Sequence, residues 1–96
     1  MSISVVAALA CRRDAAIVLG AELRKLVLAS LKEDGCINCQ IYQSQEEPSH
    51  FYLQEEWTDP AKLKAHRQSQ HYKYFNHISP ALLYQPAVVK VQKRLN

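Results

Sequence analysis

Between Lys32 and Phe75 the chain concentrates side chains able to move protons: Glu55 two residues before Trp57, then the run A-H-R-Q-S-Q-H-Y-K-Y-F from Ala65 to Phe75. A carboxylate, imidazoles and aromatic rings together suit a general base acting on a phenolic or enolisable molecule. The imidazole takes the proton, the carboxylate fixes its tautomer, and the rings hold a flat ligand. Glu55 alternates with Phe51, Leu53 and Trp57 on one strand face, and a carboxylate on such a face needs a partner once buried. His66, on a helix expected to fold back over that strand, is the expected partner. The catalytic candidates are therefore His66, His71 and Glu55, and the substrate-binding candidates are Trp57, Tyr72 and Phe75. Plainer readings stand beside these: the Glu55–His66 pair ties helix to sheet, Phe75 belongs to the core, and His71, like His50 and His77, is a solvated histidine.

Other chemistries find less support. No H-x-x-x-H, H-x-H or clustered Cys/His signature is present, so no metal is expected. Ser69 lacks the strand-to-helix context of a nucleophile. Cys36 and Cys39 form a C-x-x-C, but in a segment that reads as strand, where residues three apart point to opposite faces. With Cys11 they make an odd total of three, and all are expected to be plain thiols.

The elements that must position these groups follow from periodicity. Residues 2–10 read as a strand with Ile3, Val5, Ala7 and Leu9 on one face. From Asp14 to Glu33 the period becomes helical, with Ala16, Leu19, Leu23, Leu26, Val27, Ser30 and Leu31 along one side and Gly35 as the stop. Strands return over Cys36–Gln43 and His50–Thr58, joined by a hairpin connection through residues 45–49. Asp59-Pro60 starts a short helix over 61–68, Ser69 caps another over 70–79, and Pro80 ends it before a last strand from Ala87 to Lys93. The order β, α, β, β, broken α, β predicts an α+β, ferredoxin-like split βαβ fold, a four-stranded antiparallel sheet with helices on one face. The opposite face carries Val6, Ala8, Ala10 and Val88, and an uncovered apolar face predicts a homodimer packed sheet to sheet.

Composition sets the outer limits. Ninety-six residues, 48% of them hydrophobic and with only 2 glycines and 4 prolines, predict one folded domain over 1–96. The net charge of +3 is unevenly spread: residues 35–59 hold five acids and no Lys or Arg, residues 60–96 seven bases and no acid. That polarity could steer a small anion, although solvated faces explain most such runs. No basic stripe with interleaved aromatics is present, so nucleic acid is not an expected partner. No apolar run approaches the roughly 18–20 residues of a membrane span, and no charged leader precedes the first apolar stretch, so neither membrane insertion nor export is expected and the chain reads as cytoplasmic.

The run from Lys32 to Cys36 (K-E-D-G-C), the Glu55-x-Trp57 strand end and the A-H-x-x-S-x-H-Y-x-x-F run together resemble the antibiotic-biosynthesis monooxygenase domain family of dimeric α+β barrels, over nearly the whole chain. The resemblance implies a dimer of ferredoxin-like subunits, each with a pocket between its helices and the helix-side face of its own sheet. Similar members include small quinol monooxygenases that oxidise a quinol or phenolic aromatic with dioxygen as co-substrate and no cofactor. Others isomerise a phosphorylated autoinducer, and a distant branch opens haem. The haem branch's first-strand Asn is missing, and His66 and Asn76 stand where that branch has its Trp and His, which sets haem opening aside. The leading expectation is a cofactor-independent monooxygenase in which His66 or His71 deprotonates a quinol. The alternatives are an isomerase of a phosphorylated diketone, with Lys62, Arg67 or Lys73 receiving the phosphate, and a non-catalytic dimeric ligand-binding module.

Overall fold

Alternating apolar residues build the central strand β1 (Ile3–Ala10), whose Val5, Ala7 and Leu9 are buried. A computed structural model describes residues 2–96; Met1, the first residue of the expected 1–96 domain, lies outside the described residues. After β1 come α1 (Ala16–Ser30), β2 (Cys36–Gln43), β3 (His50–Trp57), α2 (Pro60–Arg67), α3 (Gln70–Leu82) and β4 (Val88–Lys93). The sheet order is β2-β3-β1-β4 with every pairing antiparallel, the arrangement expected of a ferredoxin-like fold.

The helices cover the sheet face that carries Val5, Ala7, Leu9, Phe51 and Leu53. Leu19, Leu23 and Leu26 of α1 interlock there with Phe51, Leu53 and Phe75. α1 is shorter than its periodicity predicts. It ends at Ser30, so Leu31 turns outward and is 46% exposed instead of extending the buried stripe.

The two later helices start as expected. Asp59 Oδ1 accepts from the Lys62 amide at 3.0 Å with Pro60 in the first turn, and Ser69 Oγ accepts from the Tyr72 amide at 3.3 Å. Pro80 does not stop α3, which runs on to Leu82. A proline in the last turn forfeits a single amide, and the Leu83 amide still reaches Ser79 O at 3.0 Å to close the helix.

A third departure lies in β2. The register shifts between Cys36 and Asn38, so that Cys36 faces Trp57 and Cys39 faces Glu55 across the ladder. The bulge adds one residue to the alternation and brings both cysteines to the helix-covered face, where simple alternation had separated them.

The face away from the helices carries Val6, Ala8, Tyr42, Tyr52 and Val88 together with Gln40, Gln54 and Lys90. Every residue of β4 is exposed, including Val89 and Val91 on the helix side, because no helix extends over that edge. Among the described residues no helix is long and apolar enough to cross a membrane.

Candidate active site

The turn from α1 to β2 supplies the residue that organises the site. Glu33 is held by its amide on Ser30 O at 3.0 Å and by its carbonyl, which accepts from the Cys36 amide at 3.2 Å. Gly35 follows with φ of +89°, and a Cβ there would lie 2.3 Å from Lys62 Cγ. Only glycine meets both conditions, the left-handed backbone and the close approach of α2. Two further contacts fasten the turn: the Thr58 amide donates to Gly35 O at 2.9 Å, and Lys62 Nζ pairs with Asp34 at 2.6 Å. That exposed pair holds the Asp34 carboxyl below its usual range and the Lys62 ammonium above its own.

Glu33 is thereby brought beneath α2, where its Oε2 meets two imidazoles, His66 Nδ1 at 2.5 Å and His71 Nε2 at 2.9 Å. A carboxylate only accepts, so each of these ring nitrogens carries the proton of its bond. In neutral His66 the other nitrogen, Nε2, is then an unprotonated acceptor. It is buried, has no hydrogen-bond partner, and lies 3.7 Å from Glu55 Oε1. The expected Glu55–His66 hydrogen bond is therefore replaced: at 3.7 Å the contact is electrostatic, and Glu33 takes the tautomer-fixing role assigned to Glu55. Glu55, 5% exposed, accepts from Trp57 Nε1 at 2.9 Å.

Aromatic packing holds the ring. Trp57 lies against His66 at 4.5 Å between ring centres, and Tyr72 approaches it edge-on at 5.0 Å. Both Trp57 and His66 are wholly buried.

Beneath α2 and α3 lies a cavity of about 80 Å³. Glu55, His66, Arg67, Tyr72, Phe75 and Asn76 line one part of it, and Val5, Ala7, Leu9, Leu53 and Leu63 another. Four of the six candidate residues thus reach one cavity: Glu55, His66, Tyr72 and Phe75. Trp57 does not line it but backs His66 and Glu55 from within a small cluster with Val5 and Leu63. His71 lies on the far side of Glu33, in a groove between α1 and α3 with Glu22, Lys25 and Tyr74. Of the three bases considered for a phosphate, Arg67 alone lines the cavity, while Lys62 is engaged by Asp34.

Glu33 is the residue that sequence reasoning missed. It lies in the run K-E-D-G-C, but nothing in the spacing links position 33 to positions 66 and 71. Glu33, His66 and His71 also form a three-donor cluster whose ligand atoms lie within 4.8 Å of one another, in a chain without a metal-binding signature.

The two cysteines brought inward by the bulge adjoin the same carboxylates. Burial is the main reason that the Cys39 thiol is pushed up to about 12, with the negative charge of Glu55 adding to it; Cys36 is raised by the same two causes. Both remain free thiols.

Comparison with known proteins agrees with this architecture. A family model described as antibiotic biosynthesis monooxygenase matches residues 2–77. An uncharacterised protein of Synechocystis sp. is 36% identical over 64 residues, which are 67% of this chain and 44% of that relative. The chain thus spans less than half the length of that curated relative. Among solved structures, Rv0793 from Mycobacterium tuberculosis superposes with a TM-score of 0.94 at 29% identity, covering 100% of this chain and 97% of that one. PA3566 from Pseudomonas aeruginosa superposes with a TM-score of 0.92 at 30% identity, covering 99% and 95%.

Proposed function

Because the chain belongs to the antibiotic biosynthesis monooxygenase family, we propose that it is a cofactor-independent monooxygenase that oxidises a small quinol or phenolic aromatic with dioxygen, with His66 as the general base. One observation carries the reading. The Nε2 atom of His66 is buried and has no hydrogen-bond partner, in a residue that lines the cavity while Glu33 holds the opposite nitrogen. A ring fixed in this way takes a proton without first breaking a bond to the protein. The imidazolium that forms is flanked by Glu33 at 2.5 Å and Glu55 at 3.7 Å, so its charge is stabilised on both sides.

Deprotonation is the protein's contribution. A phenolate gives up an electron to dioxygen far more readily than the neutral phenol does. Tyr72 and Phe75 supply flat surfaces for the aromatic ring, and Trp57 keeps His66 and Glu55 in place from behind. The cavity of about 80 Å³ is far too small for a porphyrin and smaller than the roughly 300–1,000 Å³ of ordinary ligand pockets, so a monocyclic quinol enters only as wall side chains such as Tyr72 and Arg67 move aside. Arg67 on the cavity wall favours one second reading, enolisation of a small phosphorylated diketone by the same base.

The proposal includes a homodimer. Val6, Ala8, Tyr52 and Val88 form an apolar outer face on three adjacent strands, and a second copy of the sheet would cover it. Oxygen uptake with a panel of monocyclic quinols, with and without chelator, tests the activity. Chelator-insensitive uptake that His66→Ala abolishes supports the reading. Uptake that survives His66→Ala undiminished removes His66 from the role, and proton exchange into a phosphorylated diketone without oxygen uptake selects the second reading.

A further inference from the structure

Proton transfer at His66 Nε2 leaves one cluster on the molecule only partly used. Glu33 Oε2, His66 Nδ1 and His71 Nε2 converge from a turn and two helices, with all three atoms within 4.8 Å of one another. We propose that these three atoms form a binding site for a divalent transition-metal ion of the zinc type, and that filling it switches His66 off as a base. Two imidazoles and a carboxylate are a donor set that suits Zn²⁺ and its neighbours in the first transition row.

Two of the three donors must shift to accept the ion, and both are on side chains that can. A tetrahedral ion about 2.0–2.1 Å from each donor spaces those donors roughly 3.3–3.5 Å apart. Glu33 Oε2 now stands 2.5 and 2.9 Å from the two nitrogens, held by their protons. Withdrawing its carboxylate by less than about an ångström opens the space on that side, and because the donor atoms stand up to 4.8 Å apart, the His71 ring must also swing toward His66 by roughly an ångström or more. The carboxylate can make that move because it ends a flexible side chain that is 19% exposed, whereas His66 is wholly buried between Trp57 and Tyr72. His71, 28% exposed, opens the cluster to solvent through the groove between α1 and α3, on the side away from the cavity. An ion and the water completing its shell can therefore arrive without passing through the substrate's place.

The consequence for His66 is a matter of proton position. When the ion takes Nδ1, the neutral ring keeps its single proton on Nε2. That nitrogen then points an N–H toward Glu55 Oε1, now 3.7 Å away, and gains the partner that it lacks. The lone pair needed for proton abstraction is gone. This last step rests on the assignment of His66 as the base; the binding site itself does not.

Titrating the full chain, stripped of metal, with Co²⁺ tests the site without reference to activity. The expected result is a visible ligand-field spectrum of tetrahedral type that saturates at one ion per chain and is displaced by Zn²⁺. Glu33→Gln and His71→Ala should each weaken binding by roughly tenfold or more. In wild-type protein, nitrogen NMR of the His66 ring should show Zn²⁺ moving the proton from Nδ1 to Nε2, a readout independent of whether the variants fold. No saturable binding, or binding that both variants leave intact, overturns the site. Inhibition of quinol oxidation by one equivalent of Zn²⁺, reversed by chelator, supports the switch. Stoichiometric binding without inhibition leaves the site standing and counts against His66 as the base.

Discussion

Two parts of the same sheet face are covered in opposite ways. Beneath α1 the contact is aliphatic and aromatic: Leu19, Leu23 and Leu26 meet Phe51, Leu53 and Phe75. Beneath α2 the same face holds Glu55 and Trp57, covered by His66 and reached by Glu33 from a turn. The first region gains stability from every apolar atom removed from water. The second buries carboxylates and an imidazole, an arrangement that stabilises weakly at best and is costly when one partner is lost. The difference separates the part of the molecule that folds the chain from the part that carries the proposed site.

Substitutions in the two regions should therefore fail differently. His66→Ala is expected to lower kcat for quinol oxidation by about 10²–10⁴-fold, the usual worth of a positioned general base. Leu23→Ala, in the wholly buried stripe of α1, should cost about 2–5 kcal/mol in denaturant unfolding, yet leave turnover by the folded fraction unchanged. Equal effects of both changes on turnover would break the distinction. Gly35→Ala should damage both regions at once. Strain at a positive φ costs about 1 kcal/mol or more, the added methyl meets Lys62, and displacing the turn withdraws Glu33 from His66, so both unfolding and rate measurements should register it.

Cys39 offers a subtler probe, because its thiol sits at the boundary between the regions. Its value is raised from 9.0 to about 12 in the folded protein, so unfolding releases its proton across that interval. The contribution to stability is fully present below pH 9 and declines as pH rises toward 12, with a slope approaching about 1.4 kcal/mol per pH unit. Urea midpoints between pH 8 and 10 should fall more steeply in wild type than in Cys39→Ala. The smallest effect is expected from Asp34→Asn, which removes an exposed ion pair. Because Lys62 holds the Asp34 carboxyl low, the pair contributes above the ordinary carboxylate range and is lost as pH falls through the depressed value. A slight destabilisation erased by salt is the outcome to look for.

The same contrast explains what could be read from residue order. Leu19, Leu23 and Leu26 recur at helical spacing, Val5, Ala7 and Leu9 alternate, and Asp59, Pro60 and Ser69 are local start signals, so the elements and their order were legible. Pro80 within α3 and the bulge after Cys36 were not, since a proline in a last turn forfeits only one amide and need not end the helix, and nothing in the residue order marks where the alternation gains a residue. Glu55, His66, Tyr72 and Phe75 were found because side chains of matching chemistry lie on adjacent elements. Glu33 escaped because its partners are 33 and 38 positions away, and a turn glutamate carries no signal of which helix it will meet.

The central claim is that Glu33 fixes the His66 proton on Nδ1 and leaves Nε2 without a hydrogen-bond partner. Two-bond nitrogen–proton NMR of the imidazole, recorded on metal-free protein with the ring neutral, reads this directly. The structure predicts a protonated Nδ1 and a pyridine-like Nε2 for His66, with the preference lost in Glu33→Gln. A His66 ring carrying its proton on Nε2, or one unmoved by Glu33→Gln, would contradict the account.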